Sequence, residues 1–216
     1  TEPPKSYHTW TAIHCIAATL QRKVWLTFGS ETIFPNMYIV LVGPSGSRKG
    51  TAMRKGKDLL DALQIPMTGD KPTPEQLIRK LADSSTSFKV GSELKYQCAL
   101  AAFSPEFTVF LGQSDIKFLG FLTDWYDCAN RWEYETKHGT KKDDRNRDEI
   151  VNLCLNLFAG TAPEWIPTMI PLEAVGGGFT SRILFIVEKT KGKTVPKERF
   201  LQEHRDLRDM LIRDLQ

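Results

Sequence analysis

Along this chain the spacing of apolar residues switches between a helical and a strand-like period, and each switch marks an element. Residues 9–21, TWTAIHCIAATLQ, put Trp10, Ile13, Ile16, Ala17 and Leu20 on one helical face, with His14 in a structural place in the same helix. KVWLTFG and NMYIVLVG, bounded by Gly and Pro-Asn, read as strands. Residues 51–63 predict a helix with Met53, Leu59, Leu60 and Leu63 inward. TPEQLIRKLAD carries Thr73 as N-cap, Pro74 at the first helical position and Gln76 in the capping-box place, so a helix is expected over 74–82.

FKVGSEL and YQCALAAF follow as two strands, the second small and apolar throughout, as suits a central parallel strand. Residues 118–128 have a helical pattern. RWEYETK alternates, and a charged tip, HGTKKDDRNRDE, joins it to the long apolar strand IVNLCLNLFAG. GGGFTSRILFIVEK gives a glycine turn and another buried strand. A final amphipathic helix has Phe200, Leu207, Met210, Leu211 and Leu215 apolar. Strands alternating with helices predict an α/β domain with a mainly parallel sheet flanked by helices. Its expected parts are a helical lead-in over 1–30, a core over 31–190 and a C-terminal helix over 191–216.

The strongest chemical signal is GPSGSRKGT, residues 43–51, directly after MYIVLV. A strand, a glycine-rich turn carrying a lysine, and then a helix form the layout of a phosphate-binding loop. Backbone N–H groups converge on phosphate oxygens, and the lysine neutralises the terminal phosphates. The candidate phosphate contacts are Gly43, Pro44, Ser45, Gly46, Ser47, Arg48, Lys49, Gly50 and Thr51. The usual spacing, G-x-x-x-x-G-K-[ST], puts Arg48 where a second glycine belongs and Gly50 where a metal-binding hydroxyl belongs. Either Thr51 reaches Mg²⁺ from one place later, with Gly46 and Gly50 supplying the unusual backbone angles, or the metal site is weakened. The simpler alternative is a Gly/Ser turn with a stray basic pair.

Such a loop needs a carboxylate at a neighbouring strand end, to hold Mg²⁺ and polarise the attacking water. YQCALAAFSPEF offers Glu106 for both tasks, with Ser104 orienting water, against the reading of Glu106 as a surface acid. LCLNLFAGTAPEW ends in Thr161, suited either to sensing a γ-phosphate or to capping the next turn; Asn156 is a second candidate in that strand. Arg182, after three glycines, can reach across a subunit interface to a transferring phosphoryl group, or pair locally with Glu188 or Glu164.

Loop lysine, strand glutamate, strand threonine and arginine, in that order, resemble the AAA+ type of ring-forming P-loop ATPase. PNMYIVLVGPSGSRKGTA, FSPEF, LTDWYDCANRWEYETK, LFAGTAPEW and GGGFTSRILFIVE together resemble the helicase-like ATPase domain of phage and mobile-element replication proteins. That domain is often fused behind a primase module. TSRILFIV is also similar to the arginine-finger segment of mini-chromosome-maintenance helicases. The resemblance implies ATP and Mg²⁺ as ligands, with Lys49 the Walker A lysine, Glu106 the Walker B acid, Thr161 the sensor and Arg182 a finger acting in trans. Thr51 and Glu106 would hold the metal. It implies a hexameric ring on single-stranded DNA or RNA.

In such helicases a hairpin before the sensor strand grips nucleic acid in the channel. Here that place spans residues 131–149, with Lys137, His138, Lys141 and Lys142 near the tip. Asp143, Asp144, Asp148 and Glu149 nearly cancel that charge, as in a solvated loop. Trp132 and Tyr134 are expected to pack in the core or within the hairpin in preference to stacking on bases. A nucleotide-responsive binding module with little turnover is the other functional expectation, favoured by Arg48, Gly50 and Pro105. A nucleoside kinase is a weaker third, for want of a visible acceptor pocket.

Composition narrows the picture only a little. The 216 residues suffice for one substantial core, with 41% hydrophobic and 25% charged residues. A formal charge of +3 permits nucleic-acid contact without arguing for it. Cys15, Cys98, Cys128 and Cys154 form no C-x-x-C pair, so a disulfide scaffold or zinc site is not expected, and a reducing compartment, the cytoplasm of a bacterial host, is. No apolar stretch approaches the roughly 18–20 residues of a membrane span. TEPPKS reads like a cut within a longer protein.

Overall fold

The computed structural model describes residues 2–68, 71–112, 116–135, 147–170, 177–195 and 202–216. Helix α1 (Lys5–Leu20) precedes a small exposed hairpin, β1 (Leu26–Phe28) and β2 (Glu31–Ile33), and then β3 (Tyr38–Val42). Helices α2 (Lys49–Ala62) and α3 (Pro74–Asp83) lead to β4 (Ser85–Val90) and β5 (Glu93–Ser104). After α4 (Phe107–Leu111) and α5 (Ile116–Tyr126) comes a hairpin of β6 (Arg131–Glu135) and β7 (Arg147–Val151), followed by β8 (Leu153–Thr161). A 3-10 turn (Pro163–Trp165), α6 (Ile166–Met169), a second 3-10 turn (Thr180–Arg182), β9 (Ile183–Val187) and α7 (Gln202–Leu215) complete the described elements.

Five strands form one mixed, mostly parallel sheet in the order β4-β5-β8-β3-β9. β3 runs parallel to β8 and β9, β5 runs parallel to β8, and only β4 is antiparallel to its neighbour. Strands buried on both faces need continuous apolar runs, which is why β3 and β8 are buried at every position. Successive side chains of β3 part to opposite faces. Ile39 and Leu41 join α1 and α2, while Tyr38, Val40 and Val42 join α3, α4 and α5. The α/β architecture read from the alternation of periods is therefore present. The α3 capping box is too: Gln76 N–H donates to Thr73 Oγ1 at 3.3 Å, and Thr73 N–H donates to Gln76 Oε1 at 3.1 Å.

Five sequence expectations need correcting. FKVGSEL is not one strand: Gly91, at φ 61°, turns the chain so that Val90 of β4 faces Glu93 of β5. IVNLCLNLFAG is not continuous either, because Asn152, at φ 50°, separates β7 from β8. Helix α1 is rotated from the expected face. Ile16 is 48% exposed, while Tyr7, Thr11, His14, Cys15 and Ala18 are buried. The reason is close packing on α2, where a Cβ on Gly56 would come within 2.6 Å of Thr11 Cγ2 and 3.0 Å of Cys15 Sγ. Only a face of small side chains allows two backbones to approach that closely. β9 is an edge strand with Leu184 and Val187 exposed, not a buried one. Helix α7 has no buried residue, and Leu207, Met210 and Leu211 face outward; Phe200 lies outside the described residues.

Candidate functional site

Parallel pairing brings three strand tips to one edge of the sheet. Val42 pairs with Thr161, and Ser104 pairs with Ala159, so Glu106, two residues beyond Ser104, comes level with Thr161. From β3 the chain turns to the face carrying α1 and α2. From β8 it turns to the opposite face, where Ile166 and Ile170 join the cluster of α3, α4 and α5. Neighbouring strands whose connections leave to opposite faces open a crevice at their carboxyl ends, the usual ligand position in open α/β sheets. Residues 43–51 begin in that crevice.

The loop is tightly built at its base and open further on. Gly43 N–H donates to Thr161 O at 3.2 Å, and Ser47 N–H to Pro44 O at 3.2 Å. A Cβ on Gly43 would collide with Tyr7 Oη, Glu188 O and Ser47 Oγ, so no other residue fits there. Tyr7 also donates its hydroxyl to Val42 O at 2.8 Å, bolting α1 to the strand end. Around Gly46 and Gly50, by contrast, a Cβ would meet nothing within 4 Å. The expected pair of unusual backbone angles is only half right. Gly46 is left-handed at φ 81°, but the second such residue is Arg48, at φ 67°, and not Gly50, which lies in the regular first turn of α2. Arg48 thus takes a conformation suited to glycine while its guanidinium pairs with Glu2.

Lys49 folds back into the loop. Its Nζ donates to Gly43 O at 2.5 Å, to Pro44 O at 3.2 Å and to Ser47 Oγ at 3.4 Å. Burial pulls its pKa below the ordinary lysine value, opposed by the fields of Glu106 and Glu164. Glu106 is exposed at the tip of β5, with its backbone extended. Ser104 is buried and donates its hydroxyl to Glu106 O at 3.0 Å, which shapes this turn from within. Thr161 is buried, and its hydroxyl donates to Ala162 O at 3.3 Å. Asn156 is structural: Met37 N–H donates to its Oδ1 at 3.0 Å.

The structure brings Lys49, Thr51, Thr161 and Glu106 to one edge, and it does not bring Arg182 there. Arg182 precedes Ile183, which pairs with Tyr38 at the opening of β3. At about 3.3 Å per strand residue it stands about 20 Å from the loop of its own chain. Neither Glu188 nor Glu164 is its partner. It forms a two-pronged pair with Asp127, at 3.3 Å from Nε and 2.8 Å from Nη2, and donates to Gly178 O at 3.1 Å. Lys137, His138, Lys141 and Lys142 lie outside the described residues. The described part of their hairpin packs as expected: Trp132 and Tyr134 stack at 6.0 Å and lie against Phe121 of α5. Its outer face is an ion-pair ladder in which Arg131 meets Glu133 and Glu149, and Arg147 meets Glu133.

Sequence reasoning passed over three contributors. The sequence presents Glu164 only as a partner for Arg182, although Thr-Ala-Pro-Glu mirrors Ser-Pro-Glu at the neighbouring strand end. Tyr7 and Glu2 carry no local signal at all, because they reach the loop from far upstream in the chain.

A search of protein-family models finds no match for this chain, and none of the curated proteins matches it. What the loop can hold is set by the chemistry of its own residues. They fit a phosphate: the open rim at Gly46 and Gly50, the helix start at Lys49, and an amine now spent on loop carbonyls all suit an anion. For a metal the donor set is thin. No group of three or more His, Cys, Asp or Glu suited to a metal exists among the described residues, so Mg²⁺ would depend mainly on phosphate oxygens and water, with Thr51 and Glu106 beside it. No helix among the described residues is long and apolar enough to cross a membrane.

Proposed function

We propose that this chain is an ATP-hydrolysing ring motor moving on single-stranded nucleic acid, the replicative DNA helicase domain of a phage or mobile element. One observation carries the reading: a glycine-rich loop with Lys49, the buried Thr161 and the exposed Glu106 sit on three successive tips of a parallel sheet, at its switch point. Lys49 would exchange the carbonyls of Gly43 and Pro44 for β- and γ-phosphate oxygens. Glu106 accepts a proton from the attacking water, and Thr161 hydrogen-bonds the γ-phosphate. Mg²⁺ arriving with ATP supplies charge neutralisation. Arg182, too distant for its own loop and close to the surface, serves the loop of an adjoining copy in a hexameric ring.

Steady-state ATP turnover with and without single-stranded DNA tests this directly. Lys49→Ala is expected to abolish nucleotide binding or turnover, and Glu106→Gln to keep binding but lose hydrolysis. DNA-stimulated turnover that survives both substitutions removes the proposal. A second reading, a nucleotide-responsive binding module with little turnover, is favoured by the Arg48–Glu2 pair at the loop and by the sparse metal donors. Nucleotide binding without turnover, with or without DNA, selects it.

A further inference from the structure

At the amino end of the sheet, opposite the phosphate loop, a cleft of about 580 Å³ is lined by Arg22, Trp25, Phe34, Phe88, Lys95 and Tyr96. That volume lies within the roughly 300–1,000 Å³ typical of small-ligand clefts. We propose that it binds the unpaired bases of a single-stranded nucleic acid.

Four aromatic rings converge there from four separate segments, and two of them are left open: Trp25 is 43% exposed and Tyr96 55%. Rings that serve only the core are covered, as Trp125 and Phe158 are in this chain. The cations are placed with the rings. Lys95 Nζ lies 5.4 Å from the centre of the Trp25 ring, and the Arg22 guanidinium lies 4.0 Å from that of Phe34. Arg22 is only 8% exposed. It donates to Cys128 O at 2.6 Å, Leu153 O at 3.2 Å and Asn130 Oδ1 at 2.8 Å, so dipoles, not a carboxylate, meet its charge. Among the described residues no Asp or Glu lines the cleft; Glu93, outside the lining, pairs with Lys95 at 3.9 Å. Stacking surfaces set beside two cations match the π faces of bases and the charge of phosphates.

Position favours a nucleic-acid strand over a protein occupant. Two further lining residues, Asn130 and Asn152, immediately flank the β6–β7 hairpin, and Asn152 Nδ2 donates to Tyr96 O at 2.7 Å. The cleft therefore opens at the foot of the hairpin that the proposed motor uses to hold its strand, and the inference rests on that reading for its direction.

Fluorescence anisotropy of a labelled oligo(dT), measured without ATP, tests the cleft independently of turnover. Trp25→Ala and Tyr96→Ala are each expected to weaken binding about tenfold, since a stacked base contributes about 1–3 kcal/mol. Tyr96→Phe should retain affinity, and Lys95→Ala should lower the salt slope by about 1. Basal ATP turnover should not change in any of them. An oligonucleotide carrying 5-bromo-deoxyuridine should crosslink to Trp25 or Tyr96 in the unaltered chain, a readout that needs no variant to fold. Unchanged affinity in both alanine variants overturns the proposal, as does an unaltered chain that binds no oligonucleotide. If those variants instead change the sedimentation coefficient at unchanged affinity, the cleft is a protein contact and the proposal is wrong. Loss of ATP turnover in Lys49→Ala with cleft binding intact separates the two sites.

Discussion

Arg48 holds a left-handed backbone that glycine adopts far more readily. The left-handed backbone at that position costs an L-residue about 1–2 kcal/mol, which glycine avoids. Arg48→Gly and Arg48→Ala both lose the pair with Glu2, but only glycine relieves the strain. Urea unfolding is expected to find the glycine variant more stable than the alanine variant by about 1 kcal/mol; equal stabilities would mean the backbone is not held there. His14 offers a second residue-level test. It is fully buried between Phe103 and Phe158, and burial alone pulls its pKa to about 3. The unfolded imidazole, with a pKa of about 6.5, binds a proton that the folded one refuses, so stability falls as pH drops below about 6.5 and continues to fall until about 3. Between pH 6.5 and 4.5 the native protein should lose about 2 kcal/mol more than His14→Leu, a difference in slope that denaturant titrations at several pH values will read. A structural role for His14 was legible from its apolar helix. The handedness of Arg48 was not, because the sequence offers Gly50 as the more natural left-handed residue.

Within helix α2, one substitution should act with opposite signs at two places. Gly50 has open space where a Cβ would go, so Gly50→Ala should stabilise the nucleotide-free protein by about 0.5–1 kcal/mol through helix propensity. Gly56 is pressed against Thr11 and Cys15 of α1, so Gly56→Ala should destabilise it by about 1–3 kcal/mol through overpacking. Chemical denaturation of the two variants side by side checks both, and a shared sign would refute the close α1–α2 contact. Elements with strong local punctuation were legible: α3 carries its cap in Thr73, Pro74 and Gln76, and β3 its unbroken apolar run. Two breaks were not. Gly91 and Asn152 interrupt runs whose hydrophobic pattern continues through them, and a pattern of side chains says little about a backbone angle. The buried face of α1 was also misjudged, since close approach to α2 selected small and polar residues over Ile16.

The whole molecule separates two chemical groups that the sequence presents as one set. Lys49, Thr161 and Glu106 share the carboxyl edge of the sheet, and Arg182 stands at the other end, held by Asp127. Asp127 is exposed and Arg182 partly so, and a pair this close to the surface contributes little to stability, so Arg182→Ala should fold normally. Its turnover should fall only in the assembled ring. Mixing Arg182→Ala with Lys49→Ala chains should then restore part of the activity, because some interfaces regain an intact loop facing an intact arginine. Mixtures with no more activity than the separate variants would exclude a shared site.

Local chemistry determined the kinds of element, their caps and the glycine-rich turn between β3 and α2, since each depends on residues within a few positions of one another. Strand order, register and the company each side chain keeps were decided by packing between distant segments. That packing set Glu106 level with Thr161, drew Tyr7 and Glu2 to the loop and gave Arg182 to Asp127. It also gathered Trp25, Phe34, Phe88 and Tyr96 round one cleft, which no period in the chain announces. Periodicity encodes which face of an element is apolar; only the tertiary fold decides what that face meets.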